Sequence, residues 1–268
     1  MENNLTRQFD GERWQDRASV SLADRGFRFG MHVFETLAVR AGKIHHLTYH
    51  AEALQAAART LGAETDFILK ALLQFEKQSP LPRRDGTLRF FFTAGQGAPA
   101  SPVCEPHLLA WFEPEDLPSE QPVLRVALKQ ISSDPFFLEG IKSGNYAWRC
   151  KLAAEASAAG LADWVLFAGR DKRLISCTMS NLAIRLGNHW VTPNAGSGCR
   201  AGVVRRYLLE QGWIAEGCVK VSDMENIEAA MLFNSRKGLC PIGEWGGKIL
   251  ESDERVSGWN EIFWREGY

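Results

Sequence analysis

The stretch from Glu113 to Pro122, EPEDLPSEQP, constrains this chain most. It is acidic and holds three prolines in ten residues. A proline donates no amide hydrogen and its ring fixes φ, so neither a helix interior nor a central strand runs through such a stretch. It reads as a linker, 116–122, between a small N-terminal domain (1–115) and a larger C-terminal domain (123–268). A chain of 268 residues is long enough for two cores of that size. Strand and helix patterns are mixed on both sides, which predicts an α+β fold.

Before the linker, VFETLAVR (33–40) alternates like a strand, AGK resembles a hairpin turn and IHHL a returning strand. TYHAEALQAAARTLG, from Thr48 to Gly62, has the Ala-Leu content and closing glycine of a helix, and 66–77 reads as a second one. TLRFFFTAG (87–95) and HLLAWFEP (107–114) read as paired strands. After the linker, VLRVALKQ starts a new strand, and 145–160 reads as a helix. DWVLFAG (163–169), NLAIRLG (181–187) and HWVTP (189–193) read as strands, with a helix from about 202. Ser222 and Glu225 have capping-box spacing for one more helix, before a strand at AMLFNS.

Charge excludes some classes of partner. Lys plus Arg is 31 and Asp plus Glu is 32, which leaves no footprint for nucleic acid or an anionic membrane. No apolar run reaches the length of a membrane span, and MENNLTRQFDGERWQDR lacks the apolar core of a signal peptide. Six scattered cysteines without a CxxC pair point to reduced thiols in the cytoplasm and to no metal site. Nine tryptophans and fifteen phenylalanines fit a large aromatic core, an aromatic pocket or a subunit interface; composition does not separate these.

Three features bear on chemistry. Lys142 follows a Gly-Ile step ahead of a helix, where a partly desolvated amine becomes nucleophilic; an arbitrary lysine is simply solvated. GSGCRAGVVRR (196–206) is a glycine-rich turn opening a helix, whose free amides suit a phosphate, although such turns usually just start helices. FNSRKG (233–238) puts Asn234 and Ser235 at a strand end, as an anion cup or a plain turn. A lysine nucleophile with a phosphate cup describes a pyridoxal phosphate site.

Order and wording carry a resemblance. SLADRGFRFGMHVFETLAVRAGKIHHLTYHAEAL, GIKSGNY, ISCTMSNLAIRLGNHWVTP, AGVVRRYLLE and LFNSRKGLCPI follow one another between about residues 20 and 243. Together they resemble the class IV aminotransferase family, which includes branched-chain and D-amino-acid aminotransferases and aminodeoxychorismate lyases. The resemblance implies a two-domain α+β fold of pyridoxal phosphate fold type IV, D-amino-acid aminotransferase-like, in a homodimer. It implies that Lys142 forms the imine with the cofactor and that Tyr146 bonds its phenolic oxygen. Ser176 would meet the pyridine nitrogen, and Gly202, Val203, Val204 and Ser235 would hold the phosphate. Arg89 matches a position that can face a substrate carboxylate.

The chain departs from the family pattern in four places. The arginine of H-x-x-R-L, a phosphate ligand, is Ala53. The glutamate that keeps the pyridine nitrogen protonated is Ser176. The threonine of G-I-T-R is Val204, and GDGVFET has become GMHVFET, with Met31 and His32. Losing a charge-assisted phosphate contact removes roughly 1.5–3 kcal/mol, about one to two decades of affinity. Arg25, Arg28 and Arg185 are candidates to replace it. A serine hydroxyl supplies no negative charge, so carbanion stabilisation should be poorer. The GIKSGN spacing and Asn234-Ser235 resemble the lyases more closely, which implies conversion of aminodeoxychorismate to 4-aminobenzoate and pyruvate. The runner-up is an amino-acid aminotransferase; a relative that has lost pyridoxal phosphate chemistry and serves as a binding or structural protein is the other alternative. His32 reads as a polar core or rim residue rather than a general base. Cys177 reads as a buried filler.

Overall fold

The computed structural model describes residues 4–117, 122–131, 140–169 and 171–267. Residues 118–121 of the predicted linker lie outside the described residues. The chain divides into two compact units. One takes in the described residues of Met1–Leu117, Ile141–Asn145 and Arg265–Tyr268, the other those of Pro118–Gly140 and Tyr146–Trp264. The short Ile141–Asn145 segment therefore belongs with the N-terminal part of the chain, although it lies far beyond it in sequence.

The first unit contains β1 (Leu5–Phe9), β2 (Trp14–Gln15), α1 (Arg25–Phe29), β3 (His32–Arg40), β4 (Lys43–Ile44), α2 (Leu47–Arg59), α3 (Asp66–Gln78), β5 (Gly86–Thr93) and β6 (His107–Pro114). Its six strands form an antiparallel sheet in the order β2-β1-β6-β5-β3-β4. Register places Val33 opposite Phe92, Leu37 opposite Leu88 and Phe90 opposite Ala110. These side chains are buried with those of α2 and α3. α2 meets them through Leu47, His50, Ala51, Leu54, Ala57 and Ala58, one face of a 3.6-residue period. Because side chains alternate along a strand, the other sheet face carries His32, Phe34 and Thr36 beside Thr93, Phe91 and Arg89. That face is half-buried. The predicted IHHL strand is only two residues long. His46 takes a left-handed backbone, φ 53°, and turns the chain out of the sheet into α2.

The second unit contains β7 (Leu124–Ile131), α4 (Ala147–Ala158), β8 (Asp163–Ala168), β9 (Leu174–Cys177), β10 (Asn181–Leu186), β11 (His189–Pro193), α5 (Val203–Glu210), β12 (Ala215–Gly217), β13 (Ala229–Asn234), β14 (Gly238–Trp245), β15 (Lys248–Ile249) and α6 (Glu254–Glu266, through Trp264 in this unit). Its nine strands run in the order β12-β11-β10-β13-β14-β7-β8-β9, with β15 on β14. β7 is parallel to both β14 and β8. The core is aliphatic around Val126, Val165, Leu182, Ile184 and Ile242. A separate aromatic stack joins Tyr207, Trp213, Trp259 and Trp190. Part of the aromatic excess is thus core, as with Phe75, Phe90, Phe92 and Phe112, while Phe34 and Phe91 lie on the half-buried face of the first sheet and Phe27, Phe29 and Trp148 are exposed.

The predicted Ser222/Glu225 capping box does not form. Residues 221–226 make a 3-10 turn, and Asp223 instead accepts the Lys220 amide at 2.8 Å. β14 gave no strand signal in GLCPIGEW because Pro241 and two glycines interrupt the pattern. α6 buries only Val256 and Phe263, too few for a visible period.

Candidate active site

β4 pairs only with Val39 and Arg40, so the start of β3 keeps a free edge. Lys142–Gly144 fills it. The Phe34 amide donates to the Lys142 carbonyl at 2.9 Å and the Gly144 amide to the His32 carbonyl at 2.8 Å. These two bonds flank a bridge between Val33 and Ser143. Alternation then sends Ser143 to the core side with Val33, and Lys142 to the side of Phe34 and Thr36. Lys142 Nζ donates to Thr36 Oγ1 at 2.6 Å and lies 4.5 Å from the centre of the Phe34 ring. Phe34 is itself stacked on Phe91 at 5.6 Å. The amine is therefore held by a hydroxyl against an aromatic wall, and it is not a freely solvated surface charge.

Arg89 stands directly opposite Thr36 across β5 and β3, on this same face. Its Nη1 donates to Glu113 at 2.9 Å, and its guanidinium lies 5.0 Å from the Trp111 ring. A planar, five-donor cation held in this way suits a carboxylate.

The second unit holds the other candidates. Ser176, 3% exposed on β9, donates its hydroxyl hydrogen to the Ser180 carbonyl at 2.8 Å. That hydrogen is spent, so Ser176 offers only a lone pair to a neighbour. Ser180 Oγ accepts from Asn234 Nδ2 at 3.1 Å. Asn234 Oδ1 accepts the amides of Arg236 and Lys237 at 3.0 and 2.9 Å, so this side chain shapes the turn that carries Ser235.

Gly202 caps α5 with φ −69° and ψ 149°. It brings no side-chain acceptor for the first-turn amides of Val203 and Val204. Such amides, at the positive end of an eight-residue helix, suit an anion. A Cβ on Gly202 would lie 2.1 Å from Asn181 Oδ1, so any other residue there forces Asn181 or the start of α5 to shift. Asn181 is fixed in turn by donating to the Arg200 carbonyl at 2.9 Å. Tyr146 is the residue before α4, with the Arg149 guanidinium 5.9 Å from its ring.

Arg149 went unnoticed in the sequence. Its Nη1 donates to the Thr178 carbonyl at 2.6 Å, beside the turn that follows Ser176. Burial lowers its pKa. Burial raises that of Asp163, against the opposing pull of the Met179, Thr178 and Trp164 amides. Burial also pushes the Cys177 thiol well up, which makes it an inert filler. Thr36, Ser180 and Glu113 were missed as well. Strand alternation from Phe34 was the one signal that reached Thr36.

Lys142 and Arg89 thus share a sheet face in the first unit. In the second, Ser176, Gly202 and Ser235 are linked through Ser180, Asn181 and Asn234. Ala53 on α2 supplies no cation. Arg25 is committed to the carbonyls of Ala94, Gly95, Ser101 and Pro102. Arg185 is committed to Glu228, Glu251 and Asp253. Neither replaces the missing arginine. Arg28 is exposed at the end of α1, over Phe29.

Residues 32–245 match the family described as amino-transferase class IV. The chain belongs to the class IV aminotransferase family. It is 25% identical to the aminodeoxychorismate lyase of Vibrio harveyi, over 83% of this chain and 86% of that protein. A relative from Schizosaccharomyces pombe is 32% identical over 79 residues, and only 34% of its length is covered. The structure of 4-amino-4-deoxychorismate lyase from Pseudomonas aeruginosa superposes with a TM-score of 0.80 at 25% identity, covering 98% of this chain and 99% of that one. A hypothetical aminotransferase from Mycobacterium tuberculosis in its pyridoxal-phosphate-bound form shares the fold, with a TM-score of 0.78 at 17% identity, covering 97% of each chain. The family works with pyridoxal phosphate as aminotransferases and lyases. The residues present fit that group: a held amine, and a helix N-terminus whose glycine brings no side-chain cap. Position 176, where the family pattern carries a glutamate, is a serine bonded to the Ser180 carbonyl.

Proposed function

We propose that this protein is a pyridoxal phosphate enzyme of the aminodeoxychorismate lyase type, releasing pyruvate and 4-aminobenzoate from aminodeoxychorismate. The observation that carries it is the Lys142 amine, held 2.6 Å from Thr36 over the Phe34 ring. The lengthwise similarity to lyases from Vibrio harveyi and Pseudomonas aeruginosa supports it. When bound, the cofactor supplies an electron sink joined to the substrate nitrogen. Lys142 Nζ is its anchor and then the base that takes the proton from the ring carbon bearing the amine. The carbon–oxygen bond to the enolpyruvyl group would break as the ring becomes aromatic, and the proton held on Lys142 would pass to the departing enolpyruvate, which tautomerises to pyruvate. Arg89 faces the substrate carboxylate, and Phe34 and Phe91 keep water from the amine. The α5 amides at Val203 and Val204, with Gly202 and Ser235, hold the phosphate, and Tyr146 the phenolic oxygen. Ser176 meets the ring nitrogen as a neutral hydroxyl, without a negative charge. Without the arginine at position 53, affinity for the cofactor is reduced. The loss of negative charge at position 176 suits this aromatisation-driven elimination better than repeated transamination.

The working form is a homodimer in the cytoplasm, acting on a small molecule. All six cysteines are free, in keeping with a reducing compartment. No helix among the described residues is long and apolar enough to cross a membrane.

The test is an absorption spectrum with added pyridoxal phosphate, then borohydride reduction, peptide mapping and a product assay. The expected result is a stable adduct on Lys142, with pyruvate and 4-aminobenzoate formed in equal amounts. A folded protein that gives no adduct would overturn the reading. Keto-acid-dependent transamination without pyruvate would replace the lyase assignment.

A further inference from the structure

We infer that His32 is a positioning residue that sets the lysine segment through Gly144; the inference rests on the reading of Lys142 as the reactive amine. The resemblance puts glycine at position 32, and the histidine is this chain's own. Its ring occupies the space that a side chain at position 144 would need. A Cβ on Gly144 would lie 2.2 Å from His32 Cε1 and 2.5 Å from Nδ1. Gly144 has an ordinary backbone, so space alone demands the glycine there.

The ring is not free to swing away. His32 Nδ1 lies 3.1 Å from the Gly26 carbonyl. A carbonyl only accepts, so Nδ1 carries the hydrogen in both the neutral and the charged ring. Gly26 is firm in turn, because its amide donates to Asp24 Oδ1 at 2.6 Å and Thr93 donates to Asp24 Oδ2 at 2.7 Å. Asp24 is fully buried. A continuous chain of contacts therefore runs from Asp24 and Gly26 through the His32 ring to Gly144, two residues from Lys142. Gly144 and Lys142 lie on the same side of their short strand, so a shift at one tilts the other. The pair also fixes register, because any residue but glycine opposite His32 collides with its ring.

The experiment compares the wild-type chain with His32→Gly, Gly144→Ala and the double variant. Hydrogen exchange in 140–146 and the reductive methylation rate of Lys142 are read without added cofactor, with circular dichroism as the control for folding. His32→Gly is expected to speed exchange in 140–146 by about tenfold or more, while β5 and β6 keep their protection. It is also expected to lower kcat by about tenfold with KM within about threefold, as a misplaced group does. Gly144→Ala should have the same effect in the wild-type background and little effect in His32→Gly, where the ring is gone. Wild-type exchange and methylation in both single variants would overturn the inference, as would an equal effect of Gly144→Ala in both backgrounds. If His32→Gly does not fold, Gly144→Ala alone carries the test, with the same expected and overturning results. Borohydride reduction of the wild-type chain with pyridoxal phosphate separates the two ideas. An adduct without the His32–Gly144 coupling sinks the inference alone, and coupling without an adduct sinks the cofactor reading.

Discussion

Gly202→Ala tests the phosphate assignment most directly. The new methyl would meet Asn181 Oδ1 at 2.1 Å, whereas ordinary contact begins near 3.4 Å, so one side must move by about 1.3 Å. The backbone there, φ −69°, tolerates alanine, and space is the whole problem. If Asn181 moves, it loses its bond to the Arg200 carbonyl, now 2.9 Å. A buried polar group left unpaired costs about 1–3 kcal/mol. If the start of α5 moves instead, the Val203 and Val204 amides lose their aim. Either way the expected cost to cofactor affinity is about one to two decades. The assay is titration with pyridoxal phosphate, followed by absorbance, with melting temperature in parallel. Truncating the obstacle in the double variant Asn181→Ala/Gly202→Ala should recover part of the lost stability, because the methyl then has room. Wild-type affinity in a folded Gly202→Ala protein would refute the claim that these amides hold the phosphate.

Thr36→Val keeps shape and removes the acceptor for Lys142 Nζ; since the lysine is half-buried, about 1 kcal/mol is at stake, or roughly fivefold in kcat. An unchanged kcat in a pyruvate-release assay would count against the role of Thr36. Arg89→Met should raise KM about tenfold or more with less effect on kcat. Glu113→Gln should change KM by less than about fivefold, because that ion pair is partly exposed and worth about 1 kcal/mol at most. Equal steady-state effects of the two would contradict Arg89 as the carboxylate anchor. Burial first, then the neighbouring His46 and Arg40, hold His45 at about 4 against an ordinary 6.5. Below pH 6.5 the unfolded chain takes up a proton that the folded chain refuses. Stability is therefore full above 6.5 and falls as pH drops toward 4, by about 3 kcal/mol. Urea unfolding of the wild type and His45→Phe between pH 7 and 4 checks this, and identical slopes would refute it.

Much of the chemistry was legible one residue at a time. Lys142 stood out by its place ahead of a helix, and Arg89 only through the family resemblance. The glycine-rich turn before α5 was legible as a helix start with uncapped amides, through the physics of helix ends. Ser176 and Ala53 were visible as departures. The strands β1 and β14 were less legible. β1 sat in a polar stretch, and β14 was broken by Pro241 and glycines, which an inner strand carries only where the surrounding sheet sustains it.

By itself, the sequence determined the α+β class, the strands and helices with strong periods, and which residues carry reactive groups. These are local properties, set by side-chain spacing and by backbone chemistry within a few residues. Tertiary structure decided who meets whom. It gave Lys142 to Thr36, 106 residues away, and spent the Ser176 hydrogen on Ser180. It committed Arg25 and Arg185 to other partners. It also set the His32 ring in the space of a missing Gly144 side chain. Hydrogen bonds and steric exclusion act over a few ångströms in space, whatever the distance along the chain. Only the folded sheet, with its fixed register, brings these residues within that reach.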